Sequence, residues 1–210
     1  MKKRIPLYYR LLYSRFGPQN WWPAETPFEV MIGAILTQNT GWSNVEKAIR
    51  NLKKVKALTP DKLSAMSIGR LARLILPSGY YNLKAMRLKE FIRFFLREYR
   101  GDARLMSAEK TEFLRNQLLA VRGIGPETAD SILLYALNKP VFVVDAYTKR
   151  ILSRHGLIEP DAGYQEVQDL FRKNLKNSVK LFNEYHALLV KLGKDLCLKT
   201  KPRCNICPLK

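Results

Sequence analysis

An all-α fold is predicted by three features of the sequence. Helix-start signals recur along nearly the whole chain, only one short run has β character, and that run has no second run to pair with. At 210 residues, 47% of them apolar and 26% charged, the chain can bury a core as one large domain or two small ones. Thr26-Pro27-Phe28-Glu29 has the form of a capping box with proline at the first helical position. It opens an apolar helix, Val30 to Leu36, that must be buried all round. Ser43-Asn44-Val45-Glu46 reads as a second box, followed by Val45, Ala48, Ile49 and Leu52 at helical spacing. Thr59-Pro60 starts a third helix and Ser67 a fourth, which Pro77-Ser78-Gly79 stops. Leu83 to Tyr99 is a long helix with Phe91, Phe94 and Phe95 inward and its Lys and Arg outward. Thr111 to Ala120 and Pro126 to Leu137 form a helical pair. Helices follow near Asp145 to His155, Tyr164 to Leu175 and Val179 to Leu192, the last closed by Gly193. Val141 to Val144 is the β-like run.

No apolar run approaches the roughly 20 residues needed to span a bilayer. The basic N-terminus lacks the continuous apolar block of a signal peptide, so a cytoplasmic protein is expected. Thirty-seven Lys and Arg against 18 Asp and Glu leave a net charge of +19, which repels itself unless a polyanion offsets it. Met1 to Arg15 holds five basic residues and no acid, and Arg172 to Lys210 holds ten against two. Both ends read as phosphate-facing surface, with nucleic acid the first candidate. A ribosomal or membrane-surface protein, or a solubilising coat, is the alternative.

Between the paired helices lies Val121-Arg122-Gly123-Ile124-Gly125-Pro126-Glu127-Thr128. Two glycines permit dihedrals that bring main-chain N–H groups to the surface, and Ile124 points back to pin the turn. Pro126 then starts a helix whose positive dipole end faces the same point, which makes an anion site for a phosphate. An ordinary helix–turn–helix connection is the plainer reading. The apolar flanks, the proline and the basic balance favour the phosphate clamp.

The hairpin, followed by Val143-Val144-Asp145-Ala146-Tyr147, resembles the helix-hairpin-helix glycine/proline/aspartate (HhH-GPD) superfamily of DNA glycosylases, the endonuclease III relatives. Leu36-Thr37-Gln38-Asn39-Thr40, Gly79-Tyr80-Tyr81-Asn82-Leu83-Lys84-Ala85 and a cysteine tail match in order, so the resemblance covers nearly the whole chain. Trp21-Trp22-Pro23, Leu36 to Thr40 and Pro77 to Asn82 look most like the type III 3-methyladenine DNA glycosylases. The resemblance implies a six-helix barrel over residues 28–137. It implies a second helical domain from 1–27 and 138–210 that carries the cysteine loop, with DNA and an extruded base in the cleft between them. It further implies a monomer acting on double-stranded DNA with a damaged base in the nucleoid, without membrane, and a monovalent cation at the hairpin.

Asp145 begins a helix after an apolar run, so its plain role is N-cap. Hydrogen bonding and the helix dipole also keep such a carboxylate ionised, which suits it to positive charge developing on a sugar. By the resemblance, Asp145 is the catalytic residue that stabilises the oxocarbenium-like deoxyribose and helps water attack its anomeric carbon. Gly123, Ile124, Gly125 and Thr128 would hold the DNA backbone. Bifunctional relatives carry a lysine two residues after the second glycine; here that position is Glu127, which cannot form an imine, so no lyase step is expected. Lys139 and Lys149 lie nearby in sequence and read as solvated or phosphate-facing.

His155 and His186 have no metal-ligand spacing and read as structural or surface residues. Trp21, Trp22 and Trp42 are the only tryptophans, and core packing is their default. The resemblance instead suggests that Trp21 or Trp22, with Trp42, sandwiches the flipped base. A base methylated at N3 or N7 is cationic, and an indole face attracts it by roughly 0.5 to 2 kcal/mol. Such a base also leaves without being protonated, and Glu25 is the nearest acidic candidate where a general acid is needed. By family position Gln38 fills the gap left by flipping and Tyr80 wedges beside the opposite base. Otherwise they are a polar helix-end residue and a turn aromatic.

Cys197-x6-Cys204-x2-Cys207 matches the 4Fe–4S cluster loop of endonuclease III relatives, which place a fourth cysteine five residues further on, beyond Lys210. A ligand outside this sequence, a three-iron cluster or a vestigial loop would each account for the shortage. The expected activity is hydrolysis of the N-glycosidic bond of alkylated purines such as 3-methyladenine. A mismatch or oxidised-base glycosylase, or a non-catalytic DNA-binding protein that keeps the hairpin, is the rival.

Overall fold

The computed structural model describes residues 4–210; of the basic N-terminal stretch, Met1 to Lys3 lie outside the described residues. The fold is all-α: among the described residues there are twelve α-helices and no strand. The described residues divide into two compact units, Ala24–Lys139 and residues 4–23 together with Pro140–Lys210.

The Ala24–Lys139 unit is organised around α2 (Pro27–Leu36), in which every residue after the proline is buried. Thr26 caps it as its sequence predicts, its hydroxyl accepting from the Glu29 amide at 3.1 Å. The reciprocal half of the box is absent, because the Glu29 carboxylate instead takes Lys53 at 2.9 Å and the Glu25 amide at 3.2 Å. Around α2 pack α3 (Trp42–Lys54), α6 (Tyr81–Tyr99) and α9 (Pro126–Ser131), which widens into a π turn, Ile132–Ala136. The helices α4 (Pro60–Ala65) and α5 (Ile68–Leu74) lie on α6, and α7 (Ala103–Ala108) and α8 (Thr111–Ala120) lead to α9. Two expectations are corrected. Ser43 does not cap α3, which starts at Trp42 with Gly41 as N-cap and no side-chain cap bond. Lys84, on α6, does not point outward; it is buried.

In the other unit, α1 (Arg4–Phe16) packs on α11 (Tyr164–Asn174) and α12 (Val179–Asp195), and α12 also packs on α10 (Ala146–Arg154). The basic charges of α1 mask a narrow apolar face of Ile5, Tyr8 and Leu12, all buried. Gly193 does not close α12. It lies within the helix because a Cβ there would come 2.4 Å from the Tyr147 ring, so the glycine lets α10 and α12 approach. Phe142 stacks on Phe171 with ring centroids 3.6 Å apart, and Phe182 and Tyr185 meet Phe142 edge-on. Each such contact adds about 0.5–1.5 kcal/mol beyond the area buried.

The run Val141 to Val144 is extended and buried but unpaired, so side chains must satisfy its backbone. Gln168 donates to the Phe142 carbonyl at 2.7 Å, and the Val144 amide donates to the Tyr164 hydroxyl at 3.3 Å. Thus α11 fixes the strand-like run that delivers Asp145 to the start of α10.

Candidate active site and DNA-binding hairpin

Asp145 caps α10, with Oδ1 accepting from the Thr148 amide at 2.7 Å. Its other oxygen, Oδ2, faces His186 Nε2 at 3.7 Å, both side chains being largely enclosed, at 12% and 9% exposure. Burial pushes the Asp145 carboxyl up. The pull of His186 and the Thr148 bonds is larger and brings it below the ordinary aspartate value, so the group is held as a carboxylate. His186 is therefore neither a surface residue nor remote from the site. No local pattern marks it, because α10 and α12 are joined only in space. His155 is half-buried, its Nδ1 3.2 Å from the Tyr8 hydroxyl, and burial followed by Arg4 holds its pKa below the ordinary histidine value.

The far end of α10 is anchored. Arg150 donates to the carbonyls of Cys197 and Gly193, both at 2.9 Å, and lies over the Tyr147 ring. Arg154 reaches the carbonyls of Leu198 and Lys199 and the Cys197 sulfur at 3.3 Å. Of the cysteines in that loop, Cys197 is buried, Cys207 half-buried and Cys204 exposed. Three thiols are fewer than the four a 4Fe–4S cluster takes. Among the described residues no group of three or more His, Cys, Asp or Glu could hold a metal ion. The described residues do not by themselves complete a cluster site.

The hairpin between α8 and α9 is built as its sequence predicts in outline and differently in detail. Ile124 is buried, and its amide closes the turn on the Val121 carbonyl at 3.0 Å. Only Gly123 uses a positive φ, +89°; Gly125, at φ −94°, is extended and acts as N-cap with Pro126 at N1. What glycine provides at 125 is open space, since a Cβ there would meet nothing within 4 Å. Thr128 is buried, and its hydroxyl accepts from Gln38 Nε2 at 2.9 Å. The same Gln38 amide donates to the Gly123 carbonyl at 3.0 Å, while Arg87 donates to Gln38 Oε1. Gln38 and the hairpin are thus one network, which sequence did not disclose. Gap filling by Gln38 would require it to leave these partners.

Tyr80 stands at the N-cap of α6 with φ +45° and is 69% exposed. A non-glycine residue there costs on the order of 1–3 kcal/mol and needs support. The support is Lys84, whose ammonium donates to the Ser78 carbonyl at 2.5 Å and the Leu36 carbonyl at 2.8 Å. Burial, helped by Arg87, pulls Lys84 down to about 8.

Trp21 and Trp22 are half-buried neighbours with ring centroids 5.4 Å apart, and the Lys194 ammonium sits 6.0 Å from the Trp21 ring. Trp42, on the other unit, is half-buried and donates to Glu46 at 2.8 Å. None of the three is a fully buried core residue. Glu25 is tied to Lys53 at 2.9 Å. Lys139 and Lys149 are half-buried and donate to the Glu109 and Ala162 carbonyls, both at 2.7 Å, rather than standing solvated. Glu127, at the position of the lyase lysine, is exposed.

The family model for HhH-GPD superfamily base excision DNA repair proteins matches residues 32–177. A Methanocaldococcus jannaschii protein named as a DNA repair glycosylase is 49% identical over 203 residues, covering 96% of this chain and 92% of its own length. Endonuclease III of Thermotoga maritima is 30% identical over 201 residues, covering 96% of this chain and 88% of its own. Among solved structures, the H. pylori 3-methyladenine DNA glycosylase bound to 1,N6-ethenoadenine superposes with a TM-score of 0.78 at 32% identity, over 90% of this chain and 96% of that one. An endonuclease III–DNA covalent intermediate shares the fold at a TM-score of 0.86 and 23% identity, over 100% of this chain and 93% of that one. With the glycine hairpin and the capping aspartate in the matched span, this chain belongs to the HhH-GPD superfamily as a base excision repair DNA glycosylase.

Proposed function

We propose that this glycosylase is monofunctional and hydrolyses the N-glycosidic bond of alkylated purines, 3-methyladenine foremost. The observation that carries the chemical step is the Asp145 carboxylate, held ionised at the start of α10 by the Thr148 amide and His186. As the C1′–N bond breaks, its electron pair leaves with the base and positive charge gathers on the deoxyribose, where a fixed anion is most effective. Water then adds at C1′ and gives up its proton to the Asp145 carboxylate and from there to solvent, leaving an abasic sugar. Glu127 supplies no amine, so the reaction ends at that product.

The substrate class is supported by Trp21, Trp22 and Trp42, half-buried indoles whose faces attract a cationic base. The 32% identity to a 3-methyladenine glycosylase points the same way. In this reading Gly123, Ile124, Gly125 and Thr128 grip the DNA backbone, with a monovalent cation at the turn, while Gln38 and Tyr80 occupy the disturbed duplex. Cys197, Cys204 and Cys207 are the residues that would serve as structural ligands of a 4Fe–4S cluster. The partner is damaged double-stranded DNA, bound by a monomer.

A panel of duplexes carrying 3-methyladenine, 7-methylguanine, ethenoadenine, 8-oxoguanine or a mismatched thymine tests the substrate class. Release confined to the alkylated purines is expected. Robust excision of thymine or oxidised guanine, with none of the methylated bases, would overturn it.

A further inference from the structure

We infer that His186 is a positioning residue for Asp145, setting the direction of the carboxylate from outside the helix that carries it. This inference rests on the catalytic role proposed for Asp145. The two carboxylate oxygens have different partners: Oδ1 belongs to the cap, bonded to the Thr148 amide at 2.7 Å, and Oδ2 looks to His186 Nε2 at 3.7 Å. A cap bond alone leaves the carboxylate plane free to swing about that contact. An imidazole against the second oxygen removes the swing.

The imidazole is itself held. His186 lies on α12 with its ring edge-on to Phe142, at 6.5 Å and 85° between planes. Phe142 is locked by its stack on Phe171, and its carbonyl by Gln168. The Tyr185 hydroxyl, one residue earlier on α12, is bonded to the Ile5 carbonyl at 2.8 Å. The histidine is therefore fixed by α1, α11 and the extended run that leads into Asp145. Gly193 lets α12 approach α10 closely enough for the pair to meet.

Several charged side chains on the helices that meet here have other partners. On α10, Lys149 is turned to the Ala162 carbonyl and Arg150 to the carbonyls of Gly193 and Cys197. On α12, Glu184 accepts from the Gln19 amide at 2.8 Å. On α11, Asp169 is engaged with Gln165 and Arg172. His186 is the partner that draws the Asp145 carboxyl downward against its burial. A side chain without the ring nitrogen in its place should let burial dominate and the carboxyl rise.

The test compares the full-length protein with His186→Phe, which keeps an aromatic ring and removes the nitrogens, and with His186→Gln, which restores a hydrogen-bond donor. Single-turnover base release from a lesion duplex, duplex affinity and the acid limb of the rate against pH are measured for each. The expected result is a loss of rate on the order of a hundredfold in His186→Phe. Its duplex affinity should be unchanged within about twofold, and its acid limb should move to higher pH. Partial recovery of rate is expected in His186→Gln. A His186→Phe protein with the wild-type rate and the wild-type acid limb overturns the inference. So does equal loss in both variants with affinity lost as well, which marks a residue needed only for folding. If His186→Phe does not fold, His186→Gln decides by its acid limb, which must still move upward. Failure of the underlying reading looks different: the wild-type protein itself would release no base from any lesion duplex, and the inference would fall with it.

Discussion

Replacing Gly123 by alanine places a methyl group where the structure has the Arg87 side chain: the new Cβ would lie 2.4 Å from Arg87 Cγ and 2.9 Å from Cδ. Two costs add. An L-residue held at φ +89° is strained by about 1–2 kcal/mol. Arg87 must also withdraw and give up its charged hydrogen bond to Gln38, worth about 1.5–3 kcal/mol. Gly123→Ala should therefore lose about 2.5–5 kcal/mol in urea unfolding followed by helical circular dichroism. The companion Gly125→Ala keeps an ordinary φ of −94° and meets no atom within 4 Å, so its stability should stay within about 0.5 kcal/mol of wild type. If a phosphate approaches that open backbone, the methyl group blocks it. Duplex affinity, by fluorescence anisotropy at fixed salt, should then weaken about ten- to a hundredfold through loss of charge-assisted bonds. A Gly123→Ala protein as stable as wild type, or a Gly125→Ala protein that binds duplex like wild type, would refute this division of roles.

Lys84→Met leaves the Leu36 and Ser78 carbonyls without their donor and should destabilise the protein by about 1–3 kcal/mol, measured by denaturant titration near pH 7. Because Lys84 is brought down to about 8 from the ordinary 10.5, between those values the unfolded chain keeps a proton that the folded chain has released. Unfolding free energy should accordingly rise with pH across that window in wild type, and this contribution should vanish in Lys84→Met. Borohydride added during turnover should trap no covalent protein–DNA adduct, because Glu127 stands where an imine-forming lysine would be; efficient trapping, read on a denaturing gel, contradicts this. Iron and acid-labile sulfide, assayed on protein isolated without oxygen, should reach about four atoms of each per chain if Cys197, Cys204 and Cys207 ligate a 4Fe–4S cluster; metal-free protein removes the cluster from the account.

What the sequence made legible is local. The Thr26 cap, the buried α2, the Gly123–Gly125 turn and the Asp145 cap all follow from neighbours within one helical turn, where spacing carries the physics. What it hid is carried by contacts between elements far apart in the chain. Lys84 looks like a solvent-facing position of an amphipathic helix, because its acceptors belong to the end of α2 and to the turn before Tyr80. Gly193 looks like a helix stop until the Tyr147 ring is placed against it. Ser43 has the form of a cap, yet the cap lies two residues earlier, at Gly41. For the candidate site, Asp145 and the hairpin were readable, whereas His186 and the Gln38 network required the fold.

In the proposed reaction an ionised carboxylate at residue 145 lowers the barrier to breaking the C1′–N bond. The substitution Asp145→Asn keeps the N-cap, since an amide oxygen can still accept from the Thr148 amide, and so isolates the charge from the fold. Single-turnover release of 3-methyladenine should fall by about a thousandfold in Asp145→Asn, with thermal stability and lesion-duplex affinity close to wild type. Release within about tenfold of wild type would contradict the account, because loss of one transition-state charge contact is expected to cost far more.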